Sequence, residues 1–349
     1  MAHKLNPIRI MLVEDSMTTM ELLIGLFSGL DDIQVVATAK HGQEAIELLP
    51  RLNIDLVLMD INMPILNGYQ AASWIMQNHP LPVLLMTASW DLSEVKPIID
   101  SMQLGVVGVY NKPPSPLSAN FDAMTHELIE AVRIMAEVKV VRRRPRETPS
   151  LPYALTSSDI DTNTHFHQIL IGASTGGPPV LHKLLKILPK NYCHPIVIAQ
   201  HMSPEFMNSF VEWLDSVTQL KVKLAQQGDC LQTGTVYISP VGQNLVISNN
   251  HIHLTTSNID SIISPNIDAL FTQVPPSEAA STLAILLTGM GHDGADGLYA
   301  LHQQGAFTIA QEESSCVVAS MPKSAIDKGA VNRILTPEQI GQLLLKLEQ

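Results

Sequence analysis

The stretch ILIGASTGGPPVL, Ile169 to Leu181, joins a β-rich apolar run ending at Gly172, a cluster of small residues, and Pro178-Pro179 at the head of the helix-like VLHKLLKIL. The pattern predicts a strand, a sharp turn and a helix. Gly172-Ala173-Ser174-Thr175-Gly176 also fits G-x-S-x-G, in which glycines permit a strained turn that lifts a serine Oγ above the end of a sheet. The same letters suit a turn that needs only small residues, or one that brings a phosphate to a helix N-terminus, so the serine's partners decide between them.

Outward from this segment the alternation continues through PIVIAQHM, VKLAQ, LAILLTGMG and FTIAQ. It predicts a doubly wound, mostly parallel α/β domain over residues 167–349. Residues 234–256, GTVYISPVGQNLVISNNHIHLTT, read as two or three successive strands and suggest an antiparallel edge. Upstream, the strand-like runs IRIMLVED, IQVVATA, DLVLMD, PVLLMTA and VVGVYNKP alternate with amphipathic segments. They predict a flavodoxin-like (βα)5 sheet covered on both faces, within a domain of residues 1–138. Residues 139–166 are charged, rich in Pro, Ser and Thr, and without period, as in a solvated linker; the basic cluster from Arg142 to Arg146 falls in it.

Two domains suit a chain of 349 residues with 46% hydrophobic and 15% charged residues. A net charge of −12 disfavours nucleic acid as a partner. Cys193, Cys230 and Cys316 are widely spaced and form neither a disulfide framework nor a zinc motif. No uncharged run of about twenty residues occurs, so a cytoplasmic protein without membrane insertion is expected.

In open α/β sheets ligands gather at the carboxyl ends of the strands. Glu14 and Asp15 end the first predicted strand and Asp60 the third, and a 2-1-3-4-5 strand order makes those ends neighbours. Three carboxylates together repel unless a cation neutralises them, and hard oxygen ligands suit Mg²⁺ beside a phosphate. Thr87 ends the fourth strand and Lys112 the fifth, a hydroxyl and an ammonium that can hold a phosphoryl group. VEDS, LMDINMPILNGYQA, LLMTAS and YNKPP resemble the receiver domain of two-component response regulators, over roughly residues 8 to 130. The resemblance implies Asp60 as phosphoacceptor, Glu14, Asp15, Asp60 and Asn62 as the Mg²⁺-binding set, and Thr87 and Lys112 as switch residues. It also implies a chemotaxis-type histidine kinase as phosphodonor. The position of that family's aromatic switch residue holds Val109, with Tyr110 beside it.

As a nucleophile, Ser174 needs a base, a group to orient that base and donors for an oxyanion. His201 follows the run PIVIAQ directly and so reaches the same rim; the other histidines of this half fall in loops, on helices or at strand starts. Asp293 follows another strand within GMGHDGADG, whereas Asp296 sits where it would favour a helix dipole. The order Ser174, His201, Asp293 differs from that of α/β-hydrolases, and such triads are defined by geometry rather than order.

The motifs IGASTGGPPVL, VIAQHMSPEF, VYISPVG, SPNIDALF, LLTGMGHDGADGL and GAFTIAQEESSCVVASMPKSAIDKGAV resemble the catalytic domain of the chemotaxis protein-glutamate methylesterase (CheB) family, over roughly residues 168 to 345. That resemblance implies Ser174 as nucleophile, His201 as base and Asp293 as its orienting acid, with Thr175 and Met290 lining the site and helping to hold the oxyanion. It implies removal of methyl groups from methylated glutamates of methyl-accepting chemoreceptors, and deamidation of receptor glutamines, with no cofactor for the ester hydrolysis. It further implies that the unphosphorylated receiver covers the esterase site. The other readings are a DNA-binding response regulator, which lacks a basic helix-turn-helix pattern here, a nucleotide site at GASTGG, which lacks G-x-G-x-x-G and G-K-[ST], and a catalytically idle scaffold of a receptor array.

Overall fold

A computed structural model describes residues 7–88, 92–104, 106–136, 138, 166–256 and 265–348. The chain divides into two compact units, Met1–Glu147 and Thr148–Gln349. The expected linker lies outside the described residues, apart from Phe166.

The first unit runs β1 (Ile8–Val13), α1 (Met17–Ser28), β2 (Ile33–Ala39), α2 (Gly42–Leu48), β3 (Leu56–Asp60), α3 (Gly68–Asn78), β4 (Val83–Thr87), α4 (Leu92–Leu104), β5 (Gly108–Asn111) and α5 (Phe121–Met135). Its strands pair in parallel in the order β2-β1-β3-β4-β5, as the flavodoxin-like reading expects. The apolar runs of β1, β3 and β4 are fully buried because helices cover both faces, which is why they read as continuous hydrophobic stretches rather than alternating ones. Ser16 caps α1 through Thr19 N, and Asn67 with Gln70 forms a capping box on α3, so both helices start just beyond the acidic strand ends.

The second unit runs β6 (Gln168–Ala173), α6 (Gly177–Lys186), β7 (Ile196–Gln200), α7 (Pro204–Val217), β8 (Lys221–Leu224), β9 (Thr235–Ile238), β10 (Gln243–Ser248), β11 (His251–Thr256), α8 (Ile267–Thr272), α9 (Pro276–Ala279), β12 (Thr282–Leu286), α10 (Ala295–Gln303), β13 (Phe307–Gln311), α11 (Ser320–Asp327), β14 (Arg333–Leu335) and α12 (Pro337–Lys346). Seven strands form an all-parallel sheet in the order β14-β13-β12-β6-β7-β9-β8. The antiparallel pair read from residues 234–256 exists, but β10 and β11 form a ribbon of their own instead of an edge of the main sheet. Leu245, Ile247 and Ile252 of the ribbon pack into the same buried cluster as Ile267 and Phe271 of α8, so its apolar face is satisfied by a helix and needs no strand neighbour.

β6 stands between β7 and β12, where the chain's strand order reverses. At such a switch point the loops leaving neighbouring strands diverge and open a crevice at the carboxyl edge. Close packing below the crevice is enforced by Gly172, since a methyl there would run into Ile267 Cγ2 and lie 3.1 Å from Leu286 Cδ1 and 3.3 Å from Phe271 Cζ. Gly172→Ala is therefore expected to destabilise the second unit by about 1–3 kcal/mol, the usual range for overpacking a filled core. Thermal unfolding followed by circular dichroism checks this; an unchanged midpoint contradicts the packing.

Candidate functional site

Ser174 leaves β6 and is 8% exposed. Its N–H donates to the Thr288 carbonyl (3.0 Å), and its own carbonyl accepts the Gly177 N–H (2.8 Å), which closes the turn into α6. Gly176 carries φ +77°, a left-handed conformation that costs glycine little, and a side chain there would meet Val317. His201 leaves β7 with its N–H on the Ala173 carbonyl (3.0 Å), which fixes it beside the serine turn. Its Nδ1 lies 3.1 Å from Ser174 Oγ and its Nε2 2.7 Å from Asp293 Oδ2.

Asp293, in the loop from β12 to α10, accepts two further hydrogen bonds: Ile267 N to Oδ2 and Asp268 N to Oδ1, both 2.9 Å. Asn266 caps α8 through Ala269 N and so sets those two N–H groups in place. Burial pushes the Asp293 carboxyl up, but the hydrogen bond and charge of His201 and the two backbone donors outweigh it, and the group is held below the ordinary carboxylate range. An ionised Asp293 accepting from Nε2 keeps the imidazole proton on that nitrogen and leaves the Nδ1 lone pair facing the Ser174 hydroxyl. Asp296, the rejected alternative, is exposed and paired with Lys328 at 2.7 Å.

Thr175 is partly buried at the helix entrance; its carbonyl accepts from Thr288 Oγ1 (3.0 Å) and its N–H has no partner among the described residues. Met290 is partly buried and follows Gly289, where a side chain would sit 2.7 Å from Ser174 Cβ. Sequence reading missed what surrounds these residues. The single hydroxyl proton of Thr288 is shared between the carbonyls of Thr175 and Val318, each 3.0 Å from Oγ1, while the oxygen accepts from Val317 N and Val318 N. Gln200, fully buried, donates through Nε2 to the carbonyls of Ser174 and His201. Asp268 has its Oδ1 on Gly297 N (2.6 Å), and burial, with the nearby Asp293 charge, pushes its carboxyl up. The one signal available in advance was that Thr288, Gln200 and Asp268 all lie within the quoted motifs.

In the first unit, carboxylate oxygens of Glu14, Asp15 and Asp60 lie within 4.8 Å of one another. Lys112 Nζ reaches Glu14 Oε2 at 2.8 Å and Asp60 Oδ2 at 2.9 Å. Burial pushes both of those carboxyls up, and the lysine offsets part of the shift. One ammonium against three carboxylates leaves two negative charges, the complement of a hard divalent cation. Asn62 is exposed and donates its backbone N–H to Asp60 Oδ1 (3.3 Å). Thr87 is buried beside Asn111 at the end of β4, and its carbonyl accepts the Lys112 N–H (2.8 Å). Tyr110 folds back over Gly108 of its own strand, where a methyl would lie 2.9 Å from its ring, and burial pushes its phenol well up.

The CheB methylesterase family model matches residues 169–344, and the response regulator receiver domain model matches residues 10–118. The chain belongs to the CheB methylesterase family. Relatives of the family extend over almost the whole chain. A protein-glutamate methylesterase/protein-glutamine glutaminase of Nitrosospira multiformis is 38% identical over 97% of this chain and 97% of its own, and one of Syntrophus aciditrophicus is 36% identical over 97% and 98%. The CheB methylesterase catalytic domain of Thermotoga maritima, a crystal structure, is 35% identical with a TM-score of 0.49, covering 52% of this chain and 98% of that one. Among the described residues no helix is long and apolar enough to cross a membrane.

The depressed Asp293 carboxyl has a consequence for stability. Its ionised form is favoured in the folded state, so its contribution is present above the unfolded value of about 3.9 and is lost as pH falls through the lower folded value. Denaturant unfolding between pH 6 and 3 is expected to show wild type losing stability toward acid more steeply than Asp293→Asn. Parallel curves contradict the assignment of that ionised state.

Proposed function

We propose that this chain hydrolyses methyl esters of glutamate side chains on methyl-accepting chemoreceptors, and deamidates glutamines there, under control of phosphorylation at Asp60. The observation that carries the reading is the unbroken hydrogen-bonded line from Ser174 Oγ through His201 to Asp293 at the sheet's switch point. The names of the full-length relatives point the same way.

Ser174 Oγ attacks the side-chain carbonyl carbon while His201 Nδ1 takes the hydroxyl proton, and Asp293 stabilises the imidazolium through Nε2. Thr175 and Met290 would hold the developing oxyanion through backbone or hydroxyl donors; one such donor in comparable sites is worth about 3–4 kcal/mol of barrier. The tetrahedral species collapses with loss of methanol, or of ammonia from glutamine, protonated by His201. Water then attacks the acyl-enzyme, gives its proton to His201, and releases glutamate and free Ser174.

Glu14, Asp15, Asp60 and the Asn62 segment would hold Mg²⁺, which supplies charge neutralisation for phosphoryl transfer from a chemotaxis-type histidine kinase. Lys112 and Thr87 stand ready to hold the phosphoryl oxygens. Val109 leaves Tyr110 as the aromatic group on β5, so the phosphorylation response is expected to be weaker than in a receiver with an aromatic residue at 109. A cytoplasmic setting follows from the kinase and the receptor tails.

Ser174→Ala and His201→Ala are each expected to abolish methanol release from methylated receptor, and Asp293→Asn to lower it about 10³–10⁴-fold, because the three act as a unit. Near-normal release by Ser174→Ala would sink the hydrolytic reading. Separately, a Mg²⁺-dependent label trapped on the protein should map to Asp60 by mass spectrometry and vanish in Asp60→Asn. With residues 1–165 removed, basal release should rise and no longer respond to phosphodonor; tenfold activation requires only about 1.4 kcal/mol.

A further inference from the structure

Gln200 is the last residue of β7 and precedes His201. It is 1% exposed. Its Nε2 donates to the Ser174 carbonyl at 3.0 Å and to the His201 carbonyl at 2.8 Å, so a single carboxamide nitrogen joins the main chain of two residues that are 26 and 1 positions away. Its Oε1, also buried, has no hydrogen-bond partner among the described residues and lies against Gly177, where any side chain would run into it. The amide orientation is not ambiguous, because exchanging N and O would set an oxygen against two carbonyl oxygens and lose both bonds.

A buried acceptor left unpaired is a standing cost to stability. Were the position only filling space between β6 and β7, an apolar side chain of the same shape would do so without that cost. The two donors are what the amide adds. They act at the Ser174 and His201 carbonyls, on the main chain of the same two residues whose Oγ and Nδ1 must stay 3.1 Å apart, and they pull together strand ends whose ladder pairing stops at Ala173 and Gln200. The Ser174 carbonyl meanwhile also accepts the Gly177 N–H, so the same nitrogen braces the turn that aims Oγ.

We propose that Gln200 is a positioning residue for the esterase reaction: its buried carboxamide clamps the main chain of nucleophile and base and so sets the Ser174–His201 separation. The inference rests on the hydrolytic reading above. It predicts that Gln200→Met, which keeps the shape and removes the donors, lowers kcat for methanol release about 10- to 100-fold with KM within about twofold, since the substrate is untouched while the reacting pair drifts apart. The rate at which a sulfonyl fluoride labels Ser174 in the full-length protein, which needs no receptor, should fall in parallel. Gln200→Glu should be equally impaired at neutral pH. Relative to wild type at the same pH, it should recover toward acid, because a protonated carboxylic acid regains one donor, whereas Gln200→Met should not recover.

These measurements are made at a temperature where circular dichroism finds each variant folded. Folded Gln200→Met with kcat and labelling rate within twofold of wild type overturns the proposal, as does a Gln200→Glu variant with no pH-dependent recovery. If neither variant folds, the residue is structural and the proposal is equally overturned. Ser174→Ala, run alongside, separates the two ideas: activity surviving there defeats the hydrolytic reading itself, whereas an inactive Ser174→Ala with normal Gln200 variants defeats only the clamp.

Discussion

The hydrogen bond from His201 Nε2 to Asp293 Oδ2 is the contact on which the arrangement of the candidate site in the second unit depends. It couples two loops that leave strands on opposite sides of β6, and it holds only because Asp293 remains ionised in a half-buried place. The His201 hydrogen bond and charge do most to offset the burial that pushes this carboxyl up, and two backbone N–H groups from the start of α8 add to them. The glycines below the site follow from the same requirement. Gly172 lets α8 approach β6 closely enough for Ile267 and Asp268 to reach Asp293, and Gly289 lets the β12 loop pass against Ser174.

The first unit applies the same geometric rule to different chemistry. Its carboxylates also cluster where parallel strands end, but they face one lysine instead of a histidine and a serine. The outcome is a cluster with two uncompensated negative charges in place of a hydrogen-bonded line that carries one. Parallel sheets expose the ends of adjacent strands in register, and what a sheet can do is decided by the few residues placed there.

That rule also explains how much could be read from the amino-acid sequence. Glu14, Asp60, Ser174, His201 and Asp293 each sit directly behind or near a buried apolar run, so strand ends located by hydrophobicity located the candidate groups too. The strand order of the first unit and the alternation of both units were legible for the same reason. The free-standing β10–β11 ribbon was not, because successive alternating strands look alike whether they extend a sheet or cover a helix; only the buried contacts of Leu245, Ile247 and Ile252 with α8 decide it. Thr288, Gln200 and Asp268 were equally hidden. A threonine, a glutamine and an aspartate near strand or helix ends are ordinary, and their importance lies in hydrogen bonds to residues about 25 to 115 positions away or to main-chain atoms.

The Thr288 hydroxyl also bears on motion. By bonding the Thr175 carbonyl, the Val318 carbonyl and the N–H groups of Val317 and Val318, one oxygen ties the serine turn to the segment between β13 and α11, more than a hundred residues later. Gln311, whose Oε1 accepts the Thr288 N–H while its Nε2 donates to Ser315, secures the other end of that segment. Two stretches so joined cannot open separately. Their amides are therefore expected to exchange with solvent through one shared fluctuation, and the Ser174 loop inherits the rigidity of a strand two places along the sheet, rather than the looseness that a glycine-rich turn would have alone.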